Sequence, residues 1–273
     1  MRGERGVVTL FILVIVFAVA LYLFFSKSKG TVVLIPTPSP TPYQFPYKIP
    51  TIPKNGSYRM FIVGDSIVAS LDSNKLRLDL IKYYPDSDFV TYNYGYPSTN
   101  VLDLYSRLTQ NTKNVNGTEN PAILTQQYEL IVIESFGYNP LSQYPLAEGL
   151  QKQNEELDKS VRAILSKTPK AVLAFMTPIA PDPLTFAKST RTLSPEERKK
   201  WVAERVAYID NHRKFAEDHG IPVIDVYKAS LKSDGSVDRS YISDDFIHPS
   251  QKGIDLTDQT ITDFIFKNKI FPQ

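Results

Sequence analysis

The sequence predicts a three-layer α/β/α domain with a five-stranded parallel sheet, preceded by one N-terminal transmembrane helix. Five short β-rich runs alternate with longer helical stretches from about residue 58 onward. Such an alternation is typical of a parallel sheet that is covered by helices on both faces. A separate run of apolar residues near the N-terminus lies outside this pattern.

The expected elements follow one another in a regular order. The strands are predicted at Arg59–Val63, Phe89–Asn93, Glu129–Glu134, Ala171–Met176 and Pro222–Val226. The helices are predicted at Val68–Tyr83, Thr99–Leu108, Ala147–Leu165, Pro195–Asp218 and Lys252–Phe266. The helix at Pro195 has the clearest start, with Ser194 as N-cap and Glu197 placed to complete a capping box.

Two short motifs, one after the first strand and one near the C-terminus, contain a candidate nucleophile and its base. Ser66 lies in a Gly-Asp-Ser turn, and Asp245 precedes His248 by three residues. A serine hydroxyl is a poor nucleophile until a base takes its proton, and a carboxylate must fix the tautomer of that base. Because His212 and His219 fall in a charged helical stretch, His248 is the predicted base and Asp245 its partner.

Two further motifs lie between these ends, each after a predicted strand. Gly95 ends the run Phe89–Gly95, and Asn139 ends the triplet Gly137-Tyr138-Asn139. In this order the four motifs resemble those of the SGNH hydrolase (GDSL-type esterase/lipase) family, over Tyr58 to about Phe271. The sequence departs from the family pattern at Pro140, where the family carries an aspartate.

The resemblance implies a flavodoxin-like fold and a serine esterase. It implies Ser66 as nucleophile, and an oxyanion hole formed by the N–H groups of Ser66 and Gly95 and the side chain of Asn139. The chemistry fits, because attack on an ester carbonyl places negative charge on oxygen, and each donor aimed at it contributes about 2.7–4 kcal/mol. The strand ends of a parallel sheet form one ligand-binding edge, where residues far apart in sequence can meet.

Several neighbouring residues have competing interpretations. Asp65 is expected to close the turn after the first strand rather than act as an acid. The aromatic residues beside the motifs could line a pocket, although aromatics near strand ends more often belong to the core: Tyr96, Phe136, Tyr138 and Phe246. The long loop Thr177–Leu193 either shapes substrate access or is a packed connection. An α/β-hydrolase elbow is excluded because it requires glycine at the position of Val68.

The first 57 residues predict a membrane anchor and a linker. Residues 1–30 contain 19 uncharged, mostly apolar residues at Val7–Phe25, enough to span about 30 Å of hydrocarbon. The single Ala-x-Ala motif lies inside this run, which favours an anchor over a cleaved signal peptide. Residues 31–57 contain seven prolines, typical of a semi-rigid spacer. The catalytic domain, residues 58–273, is expected outside the cytoplasm.

Charge and composition exclude several classes of function. Six Lys/Arg and one acidic residue precede Ser57, which leaves the domain with 25 basic and 28 acidic residues and a net charge of −3. A nucleic-acid partner is therefore not expected. With no cysteine and three scattered histidines, neither a metal site nor a cofactor is expected.

Together these features predict a membrane-anchored serine esterase that removes acetyl or other short acyl groups from cell-wall or surface carbohydrate. Three alternatives stay open. The same features suit a lysophospholipase acting on the nearby membrane, an acyltransferase with the same triad, or a surface binding module that has lost turnover. The oligomeric state, the polymer and the acyl group do not follow from the sequence.

Overall fold

A five-stranded parallel sheet forms the centre of the domain. The computed structural model describes residues 45–114 and 116–273. The strands are β1 (Ser57–Gly64), β2 (Asp88–Gly95), β3 (Leu130–Glu134), β4 (Val172–Thr177) and β5 (Val223–Asp225). All pairs are parallel, and the spatial order is β2-β1-β3-β4-β5. This is the flavodoxin-like order, whose switch point lies between β1 and β3. The predicted sheet is confirmed.

Seven α-helices are found in the described part of the chain, and two predicted helices are divided differently. The helices are α1 (Ser66–Ala69), α2 (Ser73–Tyr83), α3 (Leu104–Thr109), α4 (Leu146–Lys167), α5 (Pro195–His219), α6 (Val226–Ala229) and α7 (Gln251–Lys267). The predicted helix Val68–Tyr83 is two helices because Asp65 caps the first and Asp72 caps the second. The predicted helix Thr99–Leu108 begins as a 3₁₀ turn at Val101–Asp103 before α3.

Short elements that the sequence pattern did not predict lie in the connections. They are α6, a two-stranded antiparallel pair (Thr112–Lys113 with Glu119–Asn120), and 3₁₀ turns at Ile123–Thr125 and Arg239–Tyr241. These segments are too short to show a hydrophobic period.

The helices form a layer on each face of the sheet. Alternate residues of the strands point to opposite faces, so Phe61 and Val63 belong to one buried cluster and Met60 and Ile62 to the other. Helices α3, α4 and α5 contribute to the first cluster, and α2 and α7 to the second. The central strand β3 is buried throughout, as a strand covered on both faces must be.

Helix α5 begins and ends as its sequence predicts. The Ser194 hydroxyl accepts a hydrogen bond from the Glu197 N–H, and the Glu197 carboxylate accepts one from the Ser194 N–H. Gly220 ends the helix with φ of 70°, a left-handed conformation that glycine adopts without strain.

The folded domain begins before the predicted boundary at residue 58. Within the predicted linker, Tyr47 and Ile52 are buried against the domain. The Tyr47 N–H donates to the carbonyl of His219, and the Leu173 N–H donates to the Tyr47 hydroxyl. Residues 45–57 therefore pack on the domain and are not a free spacer. The proline content of this segment favoured a spacer, although its apolar side chains pack against the domain.

The predicted anchor, residues 1–30, and linker residues 31–44 lie outside the described residues. No helix between residues 45 and 273 has both the length and the apolar character that crossing a bilayer requires.

Candidate active site

Ser66, His248 and Asp245 form a continuous hydrogen-bonded chain. The Ser66 Oγ lies 2.9 Å from His248 Nε2, and His248 Nδ1 lies 2.6 Å from Asp245 Oδ2. Because a carboxylate accepts, the imidazole carries its proton on Nδ1, which leaves Nε2 free to accept the serine proton. This arrangement lets an imidazole activate a hydroxyl for attack. The neighbouring Asp244 is exposed and takes no part in the chain.

Asp245 is held as an anion by the loop that carries it. Its Oδ1 accepts hydrogen bonds from the Ser243 hydroxyl (2.5 Å) and from the N–H groups of Ile247 (2.8 Å) and His248 (2.9 Å). Burial alone would raise the pKa of Asp245, but these hydrogen bonds and the one from the His248 ring outweigh it and hold the pKa well below its usual range.

Ser66 is placed by the turn between β1 and α1. The fully buried Asp65 carboxylate caps α1 through the Ile67 N–H, at 2.8 Å, so Asp65 closes this turn as expected. Ser66 is consequently the first residue of a short helix at the C-terminal edge of the sheet, beside the switch point. Its N–H donates to no other described residue.

Asn139, in the segment after β3, lies in the same cavity as Ser66. Its side-chain N–H donates to the second carboxylate oxygen of Asp65, at 2.8 Å. Asp65 therefore fixes the orientation of this amide, and the second hydrogen on Asn139 Nδ2 is available to another acceptor. Burial raises the pKa of Asp65, while its hydrogen bonds from Ile67 and Asn139 act in the opposite direction.

The predicted oxyanion role of Gly95 is corrected by the structure. Its N–H already donates to the Asn93 side-chain oxygen, at 2.9 Å. A Cβ at this position would lie 2.1 Å from the backbone nitrogen of Ala69. Gly95 is thus required because β2 and α1 approach closely here, and its hydrogen bond is not free for a substrate.

Ser98, three residues later, has a backbone N–H without the competing acceptor that the Gly95 N–H has. Its φ is 62°, a conformation that costs a non-glycine residue of order 1 kcal/mol or more. Its N–H donates to no other described residue, and it lines the same cavity as Ser66 and Asn139. No sequence pattern indicates this residue, because the feature is a backbone angle rather than a residue type.

A buried charged cluster lies beneath this edge of the sheet. The Arg107 guanidinium donates to the carbonyls of Gly64 (2.6 Å) and Tyr94 (3.1 Å) and to the Thr99 hydroxyl. Burial lowers the pKa of Arg107 to about 10. Burial and the neighbouring Asp65 raise the pKa of Glu134 well above its usual range. Arg107 thereby joins the ends of β1 and β2 to the loop that carries Ser98.

One cavity of about 520 Å³ brings Ser66 and His248 together with Ser98 and Asn139. It is lined by Ser66, Pro97, Ser98, Tyr138, Asn139, Phe186, Ala187, Thr190, Arg191, Trp201, Arg205, Ile247 and His248. A groove of about 430 Å³ between α4 and α5 is lined by no serine, threonine or cysteine. The geometry assigns catalysis to the first cavity because the hydrogen-bonded Ser66 and His248 line it.

The loop after β4 forms part of the cavity wall. Phe186, Ala187, Thr190 and Arg191 come from it. The loop is fastened to the Asp–His loop by hydrogen bonds from the Ala187 N–H to the Phe246 carbonyl and from the Ser189 hydroxyl to the Asp245 carbonyl. The loop therefore lies in the cavity wall and is also packed against the Asp–His loop; its effect on substrate access stays a prediction.

Of the four flanking aromatic residues, one lines the cavity. Tyr138 does so, whereas Tyr96 and Phe136 are buried in the first core cluster. Phe246 lies against the Arg239 guanidinium, 4.4 Å from ring centroid to Cζ. Trp201 and Arg205 of α5 were missed, because only the folding of the chain brings this helix to the strand ends.

Comparison with known proteins supports the relationship suggested by the motifs. Residues 62–256 match the sequence pattern of the GDSL-like Lipase/Acylhydrolase family. A search of curated proteins found no similar sequence.

Solved structures show the same fold at low sequence identity. A lipase/acylhydrolase from Enterococcus faecalis is 21% identical with a TM-score of 0.53, covering 79% of this chain and 98% of its own. A variant of an acetyl-xylooligosaccharide esterase from Geobacillus is 15% identical with a TM-score of 0.55, covering 83% and 98%. The acetyl xylan esterase AlAXEase is 15% identical with a TM-score of 0.55, covering 76% and 99%.

The family pattern covers most of the domain, including the turn that carries Ser66 and the loop that carries His248. The chain belongs to the GDSL-like lipase/acylhydrolase family, also called SGNH hydrolases, a family of ester hydrolases.

Proposed function

We propose that this protein is a membrane-anchored serine esterase that removes acetyl or other short acyl groups from carbohydrate outside the cytoplasm. The observation that carries the proposal is the hydrogen-bonded chain from Ser66 through His248 to Asp245. A binding module without chemistry has no need for this alignment.

The reaction follows the general route of acyl transfer to serine. His248 Nε2 takes the proton from Ser66 as Oγ attacks the ester carbonyl, and Asp245 stabilises the imidazolium. The same proton then passes to the leaving alcohol as the carbon–oxygen bond breaks. A water molecule, deprotonated by His248, then attacks the acyl-enzyme, and His248 returns the proton to Ser66 Oγ as its bond to the acyl carbon breaks and the acid leaves.

Three donors face the developing oxyanion: the N–H groups of Ser66 and Ser98 and the side chain of Asn139. The two N–H groups lack other described acceptors, and Asp65 orients the amide. A crystal structure with a phosphonate bound to Ser66 tests this assignment. The phosphonyl oxygen is expected within about 2.7–3.1 Å of all three donors. Contact with the Gly95 N–H in place of Ser98 would contradict it.

The cavity favours a short acyl group on a polar alcohol. Its walls include hydroxyl, amide and guanidinium groups together with aromatic rings, a combination suited to sugars rather than to long acyl chains. Two proteins of the same fold are described as an acetyl-xylooligosaccharide esterase and an acetyl xylan esterase. The acetyl group and the carbohydrate are proposed on these two grounds.

The location is proposed from the N-terminal sequence alone. The apolar run Val7–Phe25 and the four prolines between residues 31 and 44 match the composition of an anchor and a spacer. Protease treatment of intact cells tests this directly: the domain is expected to be cleaved without lysis. A domain protected until the membrane is broken would contradict an external location.

Acyl-chain preference tests the proposed reaction. Hydrolysis of 4-nitrophenyl acetate, butyrate and palmitate by the full chain in detergent is expected to be fastest with acetate. The Ser66→Ala variant serves as control for each ester. A preference for palmitate would replace the carbohydrate esterase with an enzyme acting on lipid.

A further inference from the structure

One part of the cavity wall combines positive charge with aromatic rings. Arg191 and Arg205 line it together with Tyr138, Phe186 and Trp201. No aspartate or glutamate is among the described residues that line it. The domain as a whole has a net charge of −3, so this wall is opposite in sign to the overall charge of the domain.

Arg205 is held rigidly in this wall. Its side chain is 11% exposed, and its Cζ lies 4.8 Å from the centroid of the Trp201 ring and 4.9 Å from that of Phe186. Two aromatic rings thus hold the guanidinium through cation–π contacts. A group fixed in this way loses little conformational entropy when it binds a ligand.

The hydrogen-bonding capacity of Arg205 is only partly used. Its Nη1 donates to the Trp201 carbonyl at 3.0 Å, while the buried Nε has no acceptor among the described residues. The nearest carboxylate, Glu204, lies 4.0 Å from Nη1, too far for a hydrogen bond. Burial lowers the pKa of Arg205. A largely desolvated cation without a hydrogen-bonded anion is costly in the free protein.

We propose that the ester substrate carries a carboxylate, which Arg205 binds beside the catalytic serine, and that the exposed Arg191 assists it. The inference rests on the proposed function and narrows it to acylated acidic carbohydrate. A carboxylate supplies the acceptor that Arg205 lacks and forms charge-assisted hydrogen bonds with it. A neutral sugar would leave the guanidinium without a hydrogen-bonded anion, since Glu204 stays 4.0 Å from Nη1.

A pair of nearly isosteric esters tests the proposal with the full chain. The substrates are 4-acetoxybenzoate, which is anionic, and 4-acetoxybenzamide, which is neutral. Each kcat/KM is divided by the rate of the same ester with hydroxide, which removes the difference in intrinsic reactivity. For the parent protein, the corrected kcat/KM is expected to be at least tenfold higher for 4-acetoxybenzoate than for 4-acetoxybenzamide.

Variants at Arg205 assign the preference. Arg205→Met keeps an apolar stem between the two rings. It is expected to reduce the ratio of the two corrected kcat/KM values, 4-acetoxybenzoate over 4-acetoxybenzamide, to within threefold of one. Arg205→Lys keeps the charge without the planar fork and should retain part of the ratio. Lys200→Gln, which removes an exposed charge from the same helix, is the matched control and should retain all of it. Thermal unfolding of each variant verifies that the fold is intact.

The outcomes separate this inference from the proposed function. Equal corrected rates for the two esters, both abolished in Ser66→Ala, would overturn the inference and leave the esterase standing. A preference that survives in Arg205→Met would also overturn it. Faster hydrolysis of 4-acetoxyphenyl phosphate than of the carboxylate would show that the anion is a phosphate and reject the carboxylate. If neither aryl acetate is hydrolysed, the proposed function fails and the inference fails with it.

Discussion

At the scale of single residues, hydrogen bonds between named side chains hold the candidate site in place. Asp65 illustrates this, because one oxygen caps α1 and the other orients Asn139. The same carboxylate therefore positions both the turn that carries Ser66 and the side chain of Asn139. The Asp–His spacing revealed the triad in the sequence, because three residues suffice for one turn to bring the two side chains together.

Asp245 and Asp244 offer a matched pair at this scale. Asp245→Asn is expected to lower kcat by roughly 10²–10⁴, because an amide can donate to His248 Nδ1 and so stabilise the wrong tautomer. Asp244→Asn removes the same charge from the adjacent exposed position and should have little effect. Steady-state hydrolysis of 4-nitrophenyl acetate measures both. Equal losses would mean that the effect is one of charge and not of tautomer.

At the scale of elements, the contact between β2 and α1 explains why Gly95 was assigned the wrong role. A glycine at a strand end is compatible with an oxyanion donor and with close packing, and residue type alone does not separate the two. The Asn93 side chain decides between them by accepting the Gly95 N–H and donating to the Val68 carbonyl. That network depends on how α1 lies against the strand.

Gly95→Ala is expected to destabilise the domain by more than about 2 kcal/mol, because its Cβ would meet backbone and not a movable side chain. It should also displace Ser66 and reduce activity, since α1 carries the serine. Gly56→Ala is the control, because nothing lies within 4 Å of a Cβ there. Denaturant unfolding measures both. If Gly95→Ala were as stable as Gly56→Ala, the close contact would be refuted.

At the scale of the whole molecule, the alternation of strands and helices made the architecture predictable. Each predicted strand lies within two residues of its observed ends. The features that could not be predicted are contacts between residues far apart in sequence. They are the packing of Tyr47 on the domain and the position of Arg205 in the wall of a cavity at the strand ends. Neither leaves a periodic pattern in the sequence.

His212 makes the stability of the domain dependent on pH. Its ring is fully buried, stacks on Phe175 at 4.1 Å and hydrogen-bonds to the Ile133 carbonyl. Burial lowers the pKa of His212 to about 3. The unfolded chain binds a proton here below about pH 6.5 and the folded chain does not, so the free energy of unfolding falls as pH falls from 6.5 to 3.

At pH 4.5 this single group is expected to lower the free energy of unfolding by about 3 kcal/mol relative to its value at neutral pH. Urea unfolding from pH 7 to pH 4 measures it, with His212→Gln as comparison. The variant is expected to be less stable at neutral pH but to lose less stability on acidification. Parallel curves for the two proteins would show that His212 does not titrate in this range.

The central claim is that Ser66 is the nucleophile of an ester hydrolase, and the hydrolysis of 4-nitrophenyl acetate by the full chain and its Ser66→Ala variant tests it most directly. The Ser66 side chain is hydrogen-bonded to His248 alone among the described residues, so the variant should fold as the parent does. We predict that kcat falls by at least about 10³, with the unfolding temperature unchanged. A folded Ser66→Ala variant that hydrolyses the ester at the parental rate would contradict the account.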